Sequence, residues 1–103
     1  MHLLTQEIRK KLPPLYATEE SKDPLVICKF FLPMTQWTWY ATEFDGEDRF
    51  FGYVEGSVHA ELGYFSLREL ENAQGPFRLP VERDRFFEPT LLSVVKQEVY
   101  ATV

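Results

Sequence analysis

Trp37-Thr38-Trp39-Tyr40-Ala41-Thr42-Glu43-Phe44, then Asp45-Gly46-Glu47-Asp48, then Arg49-Phe50-Phe51-Gly52-Tyr53-Val54, is the stretch on which the fold turns. Aromatic and β-branched residues dominate both flanks, and glycine in the acidic centre tolerates the positive φ of a tight turn. This predicts a β-hairpin with strands over Gln36–Phe44 and Arg49–Val54. A two-residue Asp-Gly turn sets Glu43 against Asp48, two like charges across the ladder. The expected loop is therefore three or four residues long, one of three placing Glu43 opposite Arg49 and Trp39 opposite Tyr53. Plain alternation puts Trp37, Trp39, Ala41 and Glu43 on one face, and Thr38, Tyr40, Thr42 and Phe44 on the other.

Outward from the hairpin, Leu25–Leu32 is an apolar, β-rich run between Pro24 and Pro33 and reads as a strand. Another strand is expected over His59–Phe65. It leads into Ser66-Leu67-Arg68-Glu69, the capping-box start of a short helix that stops near Asn72, before Gly75-Pro76. Near the N-terminus, Thr5 caps a helix carrying Leu4, Ile8 and Leu12 every four residues, and Pro13-Pro14 ends it. Tyr16–Pro24 reads as a loop. Phe77–Pro89 reads as an ordered loop or a short edge strand. Leu91, Val94 and Val95 have helical spacing, although β-branching weakens a helix over Thr90–Gln97. The expected fold is a single α+β domain over residues 1–103. It is an antiparallel meander of three or four strands, packed by the N-terminal helix and the short helix after the last strand.

Composition narrows the function classes. The 103 residues carry 11 basic and 16 acidic side chains, a formal charge of −5, with 45% hydrophobic content. That is a globular chain, and no apolar run has the length of a membrane span. The first residues lack a secretory pattern, so the cytoplasm is the expected location. A lone Cys28 allows neither an internal disulfide nor a multi-cysteine zinc site. No phosphate loop, dinucleotide fingerprint or paired metal histidines occur, so no cofactor is expected. Four carboxylates within Glu43–Asp48 suit a hard cation chemically, but their spacing does not match a calcium loop and no metal site is expected.

His59 and Glu61 form the one candidate acid–base pair, and a nucleophile is missing beside them: Cys28 lies in an apolar run, while Ser57 and Ser66 lack a nucleophile elbow. No catalytic residue is therefore assigned. The hairpin aromatics suit either a protein interface or stacking against single-stranded nucleic acid. The net negative charge weighs against phosphates and favours a protein partner. The expected partner-binding residues are Trp37, Trp39, Tyr40, Glu43, Asp45, Glu47, Asp48 and Arg83. Open sheet edges also make a homodimer an expectation.

Several blocks together resemble a family of small bacterial proteins of unknown function found on plasmids and integrative or conjugative elements. They are Leu12-Pro13-Pro14-Leu15-Tyr16-Ala17-Thr18-Glu19, Trp37 to Gly46, Phe51-Gly52-Tyr53-Val54, Glu61-Leu62-Gly63-Tyr64-Phe65-Ser66-Leu67 and Pro80-Val81-Glu82-Arg83-Asp84. The resemblance implies a cytoplasmic accessory protein of a mobile element and brings no catalytic residue or cofactor.

Overall fold

The computed structural model describes residues 3–56 and 58–101, so the reading of Ser57 lies outside it. Among these residues, a five-stranded antiparallel sheet has the order β5-β4-β3-β2-β6. Its strands are β2 (Cys28–Phe31), β3 (Thr38–Phe44), β4 (Arg49–Glu55), β5 (Ala60–Ser66) and β6 (Glu82–Arg83). A two-stranded ribbon joins β1 (Leu25–Val26) to β7 (Thr90–Leu91). The helices are α1 (Gln6–Lys11), α2 (Leu67–Asn72) and α3 (Leu92–Ala101). None is long and apolar enough to cross a membrane. The meander β2-β3-β4-β5 is the expected one, and β6 crosses back to pair with β2 as a short fifth strand.

Both helix starts follow the sequence. Thr5 Oγ1 accepts the Ile8 N–H at 3.1 Å, and Ser66 Oγ accepts the Glu69 N–H at 3.2 Å. In both helices the chain leaves in an extended conformation, at Leu12 and at Ala73. α1 buries none of its own residues, and its anchorage comes from Leu4 and Leu12 at its two ends.

One face of the sheet packs under α1 and α2 around Phe50, which is fully buried. Its ring meets Phe44 at 4.4 Å, Phe65 at 5.1 Å and Phe30 at 5.5 Å between centroids. Burying one such side chain stabilises the fold by about 1.5–3 kcal/mol. The opposite face packs under α3, through Tyr40, Tyr53, Val26, Leu92 and Val95.

Two irregularities correct the plain alternation. The β3–β4 register shifts between Ala41 and Glu43, where Thr42 is the extra residue and its hydroxyl donates to the Phe51 carbonyl at 2.9 Å. A bulge swaps the faces of everything beyond it. Phe44 therefore joins Ala41 and Trp39 on the α1–α2 face, while Glu43 turns to the α3 face. The second irregularity splits the expected Leu25–Leu32 strand at Ile27. Val26 faces the α3 core, whereas Cys28 and Phe30 face the other. A regular strand sends these three residues one way, so the chain must break between them. Ile27 N–H donates to the Ala41 carbonyl at 2.8 Å, beside the β3 bulge.

The hairpin loop has three residues, Gly46–Asp48, closed by Asp45 N–H to the Arg49 carbonyl at 2.8 Å. The pairing differs from the expected one: Asp45 meets Arg49, Glu43 meets Phe51, Tyr40 meets Tyr53 and Trp39 meets Val54. Gly46 takes φ +92°, a conformation open to glycine.

Candidate partner-binding site

The end of the α1–α2 face farthest from the acidic hairpin carries the two tryptophans. Trp37 and Trp39 are two residues apart on one face and stack with centroids 6.0 Å apart and planes 18° from parallel. Trp39 is half-buried against the core, and Trp37 is 42% exposed. The Trp37 ring lies on Gly56, where a Cβ would stand 2.9 Å from its Cη2 atom. Glycine is what lets the indole settle against the chain.

A shallow depression of about 190 Å³ adjoins the pair, lined by Trp37, Val54, Gly56, Val58, His59 and Glu61. Val58 is 86% exposed. His59 and Glu61 thus share one rim, and among the described residues no nucleophilic side chain lines it with them. Among the described residues nothing basic lines it except the imidazole. The surface is chemically simple: an indole platform, two valines, an imidazole and a carboxylate.

The other expected partner-binding residues lie elsewhere. Along a strand rising about 3.3 Å per residue, the acidic tip is roughly 25 Å from Trp37. Its carboxylates serve the fold. Asp45 Oδ1 accepts the N–H groups of Glu47 and Asp48 at 2.8 Å and of Arg49 at 3.0 Å. The Asp48 carboxylate accepts the Ser66 hydroxyl at 2.8 and 2.9 Å and the Arg68 N–H at 2.8 Å. Backbone hydrogen bonds, from Asp48 to Asp45 and from Arg68 to Asp48, hold both acids below the usual carboxylate range. Arg9 braces the same loop by donating to the Gly46 carbonyl at 2.7 Å. Glu47 is exposed at the tip. No three His, Cys, Asp or Glu side chains gather as a metal site among the described residues.

Tyr40 is buried in the α3 core, its ring 6.3 Å from both Tyr53 and Phe87. Arg83 sits on β6 at the far sheet edge and donates to the Leu3 carbonyl. Glu43 is buried at 3% exposure on the α3 face. Its carboxylate accepts the N–H groups of Tyr16 and Thr18, each at 2.8 Å, and the Thr18 hydroxyl. The eight residues therefore form no single surface. Trp37 and Trp39 stand together at one end of the hairpin, and Asp45, Glu47 and Asp48 at the other.

The sequence matches the family described as a protein of unknown function (DUF2958) over residues 3–100. The chain belongs to this family. Neither a curated protein nor a solved structure matches it. The family description attaches no activity, so function has to be argued from the surface itself.

Two further features bear on chemistry. Cys28 is buried, and desolvation pushes its thiol up to about 12, which keeps the sulfur protonated and unreactive at neutral pH. On the α3 face, a groove of about 310 Å³ runs over Glu43 between the Tyr16–Pro24 segment and α3, with Phe51, Leu62, Tyr64, Leu92 and Lys96 among its walls. Sequence reasoning passed over Tyr16, Thr18, Gly56 and Val58. Nothing in a linear pattern marks a loop residue that clamps a distant carboxylate, or a glycine that seats an indole.

Proposed function

We propose that this protein is a non-enzymatic interaction module that binds another protein through the Trp37–Trp39 end of its sheet. The observation that carries the reading is the stacked indole pair with Trp37 open to solvent. Tryptophan is among the residues most enriched at the energetic centre of protein interfaces. Large rigid rings bring contact area at low entropic cost. The fold holds this pair in place without burying it.

Glu61 on the rim and the chain's charge of −5 favour a partner with an apolar anchor and a basic flank. The same charges oppose phosphates, so single-stranded nucleic acid is the poorer fit. In the mobile-element setting that the family resemblance implies, such a module modulates nucleic-acid-related machinery by occupying one of its protein components. The decisive comparison is affinity purification from a bacterial host with wild-type and Trp37→Ala baits. A protein recovered with the first and lost with the second supports the reading. Equal recovery with both baits, or binding of a short labelled oligonucleotide at low salt that Trp37→Ala abolishes, refutes it.

A further inference from the structure

We propose that β5 is a dimerisation strand, pairing antiparallel with β5 of a second copy about a two-fold axis through Gly63. The two edges of the sheet are unlike. One is closed by β6, only two residues long, with Asp84 N–H reaching the Lys29 carbonyl beyond it. The other is β5, seven residues with no proline and no lysine. Natural proteins blunt free edges with those devices or with other charges, and this edge carries a single charge, Glu61.

The direction of the free backbone groups follows from the ladder. Gly56 N–H donates to the His59 carbonyl and Leu67 N–H to the Asp48 carbonyl, at the two ends of an unbroken β4–β5 register. Residues 59, 61, 63, 65 and 67 therefore turn their hydrogen-bonding groups toward β4. Ala60, Leu62, Tyr64 and Ser66 turn theirs outward. An axis at Gly63 sets Leu62 opposite Tyr64 of the second copy, so the outward donors and acceptors meet in matched pairs. Leu62 and Tyr64 are about half exposed, and their side chains share the α3 face of the sheet. In the paired arrangement they form one apolar strip across the axis. Glu61 falls opposite Phe65, so no like charges oppose each other.

Gly63 supplies the independent observation. Its φ is not in the left-handed region, and a Cβ built there meets nothing within 4 Å. The single chain gives no reason for glycine in mid-strand, where it costs about 0.5–1 kcal/mol relative to alanine. The proposed axis gives one. Gly63 faces Gly63 of the second copy in a non-hydrogen-bonded pair, the closest approach in an antiparallel ladder, with Cα atoms about 4.5 Å apart.

The test combines mass and register. Light scattering over a dilution series is expected to give twice the 12.1 kDa chain mass for the wild type. Gly63→Lys sets like charges face to face and returns the single-chain mass with an unchanged far-UV spectrum. Gly63→Cys places two thiols within disulfide range and is expected to form a covalent dimer under mild oxidation. Val58→Cys, more exposed than Gly63 but far from the axis, does not, and the buried Cys28 does not compete. A wild type that stays at the single-chain mass throughout overturns the proposal. So does a dimer that survives Gly63→Lys, or one whose Gly63→Cys variant fails to cross-link.

Discussion

Replacing Glu43 by glutamine tests the clamp on the α3 face most sharply, because it changes one atom and leaves the shape intact. Glu43 is buried and satisfied only by acceptor chemistry: two backbone N–H groups and one hydroxyl converge on its two oxygens. Glutamine offers one oxygen and one NH₂ group. If its oxygen takes the Thr18 side, the NH₂ group faces the Tyr16 N–H, donor against donor. If it takes the Tyr16 side, the Thr18 N–H loses its acceptor while the hydroxyl can rotate to accept. Either way one backbone donor is left unpaired, and the surviving bonds lose their charge assistance. Hydrogen bonds to charged groups contribute about 1.5–3 kcal/mol each. Tyr16 offsets part of the effect, since the clamp holds it at φ +71°, which costs a non-glycine residue on the order of 1 kcal/mol that is returned when the clamp is lost. The expected loss for Glu43→Gln is about 2 kcal/mol, or ~8–16 °C in Tm for a domain of this size. Thr18→Val, which removes only the hydroxyl, should cost about half as much. Urea unfolding followed by far-UV circular dichroism measures both. A Glu43→Gln stability within ~0.5 kcal/mol of wild type refutes the clamp.

Gly52→Ala should be among the most damaging single changes, with a loss on the order of 4 kcal/mol, because the new Cβ falls 1.8 Å from the Tyr40 carbonyl oxygen; a well-dispersed NMR spectrum at wild-type Tm contradicts this. Phe50→Ala removes the ring that Phe30, Phe44 and Phe65 share, and calorimetry should show a loss of about 3–5 kcal/mol. Asp23, Asp45 and Asp48 have folded-state pKa values below the ordinary carboxylate value, Asp23 chiefly through the Ser93 hydroxyl. Depressed acids stabilise the fold fully above the unfolded value and lose that contribution as pH falls through the folded one. Tm should therefore hold from neutrality down to about pH 5 and drop below about pH 4, and Asp48→Asn should flatten the drop; parallel curves for the two proteins exclude a role for Asp48. Acrylamide should quench Trp37 more than Trp39, so Trp37→Phe lowers the Stern–Volmer slope and Trp39→Phe raises it, the reverse order being the disproof.

The parts of the fold legible in the sequence are those fixed by local chemistry. Thr5 and Ser66 announce helix starts because a hydroxyl three residues before a backbone N–H is a local geometry. Asp45-Gly46 announces the turn for the same reason. Long-range facts left no such mark. The β6 pairing joins residues about fifty positions apart, and two residues show no periodicity. The bulge at Thr42 inserts one residue into an otherwise regular alternation, so counting along the strand put Glu43 with the tryptophans and Phe44 opposite them. In the candidate site, Asp45 and Asp48 read as a free acidic surface because a carboxylate that caps backbone N–H groups looks the same in sequence as one that awaits a partner. The neighbours of Asp48 in space, Ser66 and Arg68, lie some twenty residues on.

The bulge decides on which face Glu43 and Phe44 fall. Without the extra residue, alternation sends Glu43 toward Phe50 and turns Phe44 outward. A carboxylate among aromatic rings is costly unless it is paired, and an exposed ring forfeits its burial. Thr42 reverses both outcomes at one step, and Gly52 on β4 makes it possible by leaving room for the Tyr40 carbonyl. Phe44 then completes the aromatic stack under α1 and α2, and Glu43 reaches the donors of Tyr16 and Thr18. Upstream of the bulge the alternation is untouched, so Trp37 and Trp39 stay in phase on the core face but run beyond the helices that cover it. Trp39 closes the core from the side, and Trp37 stacks on it and stays 42% exposed. The exposed indole is thus the end of the aromatic core projecting past its cover.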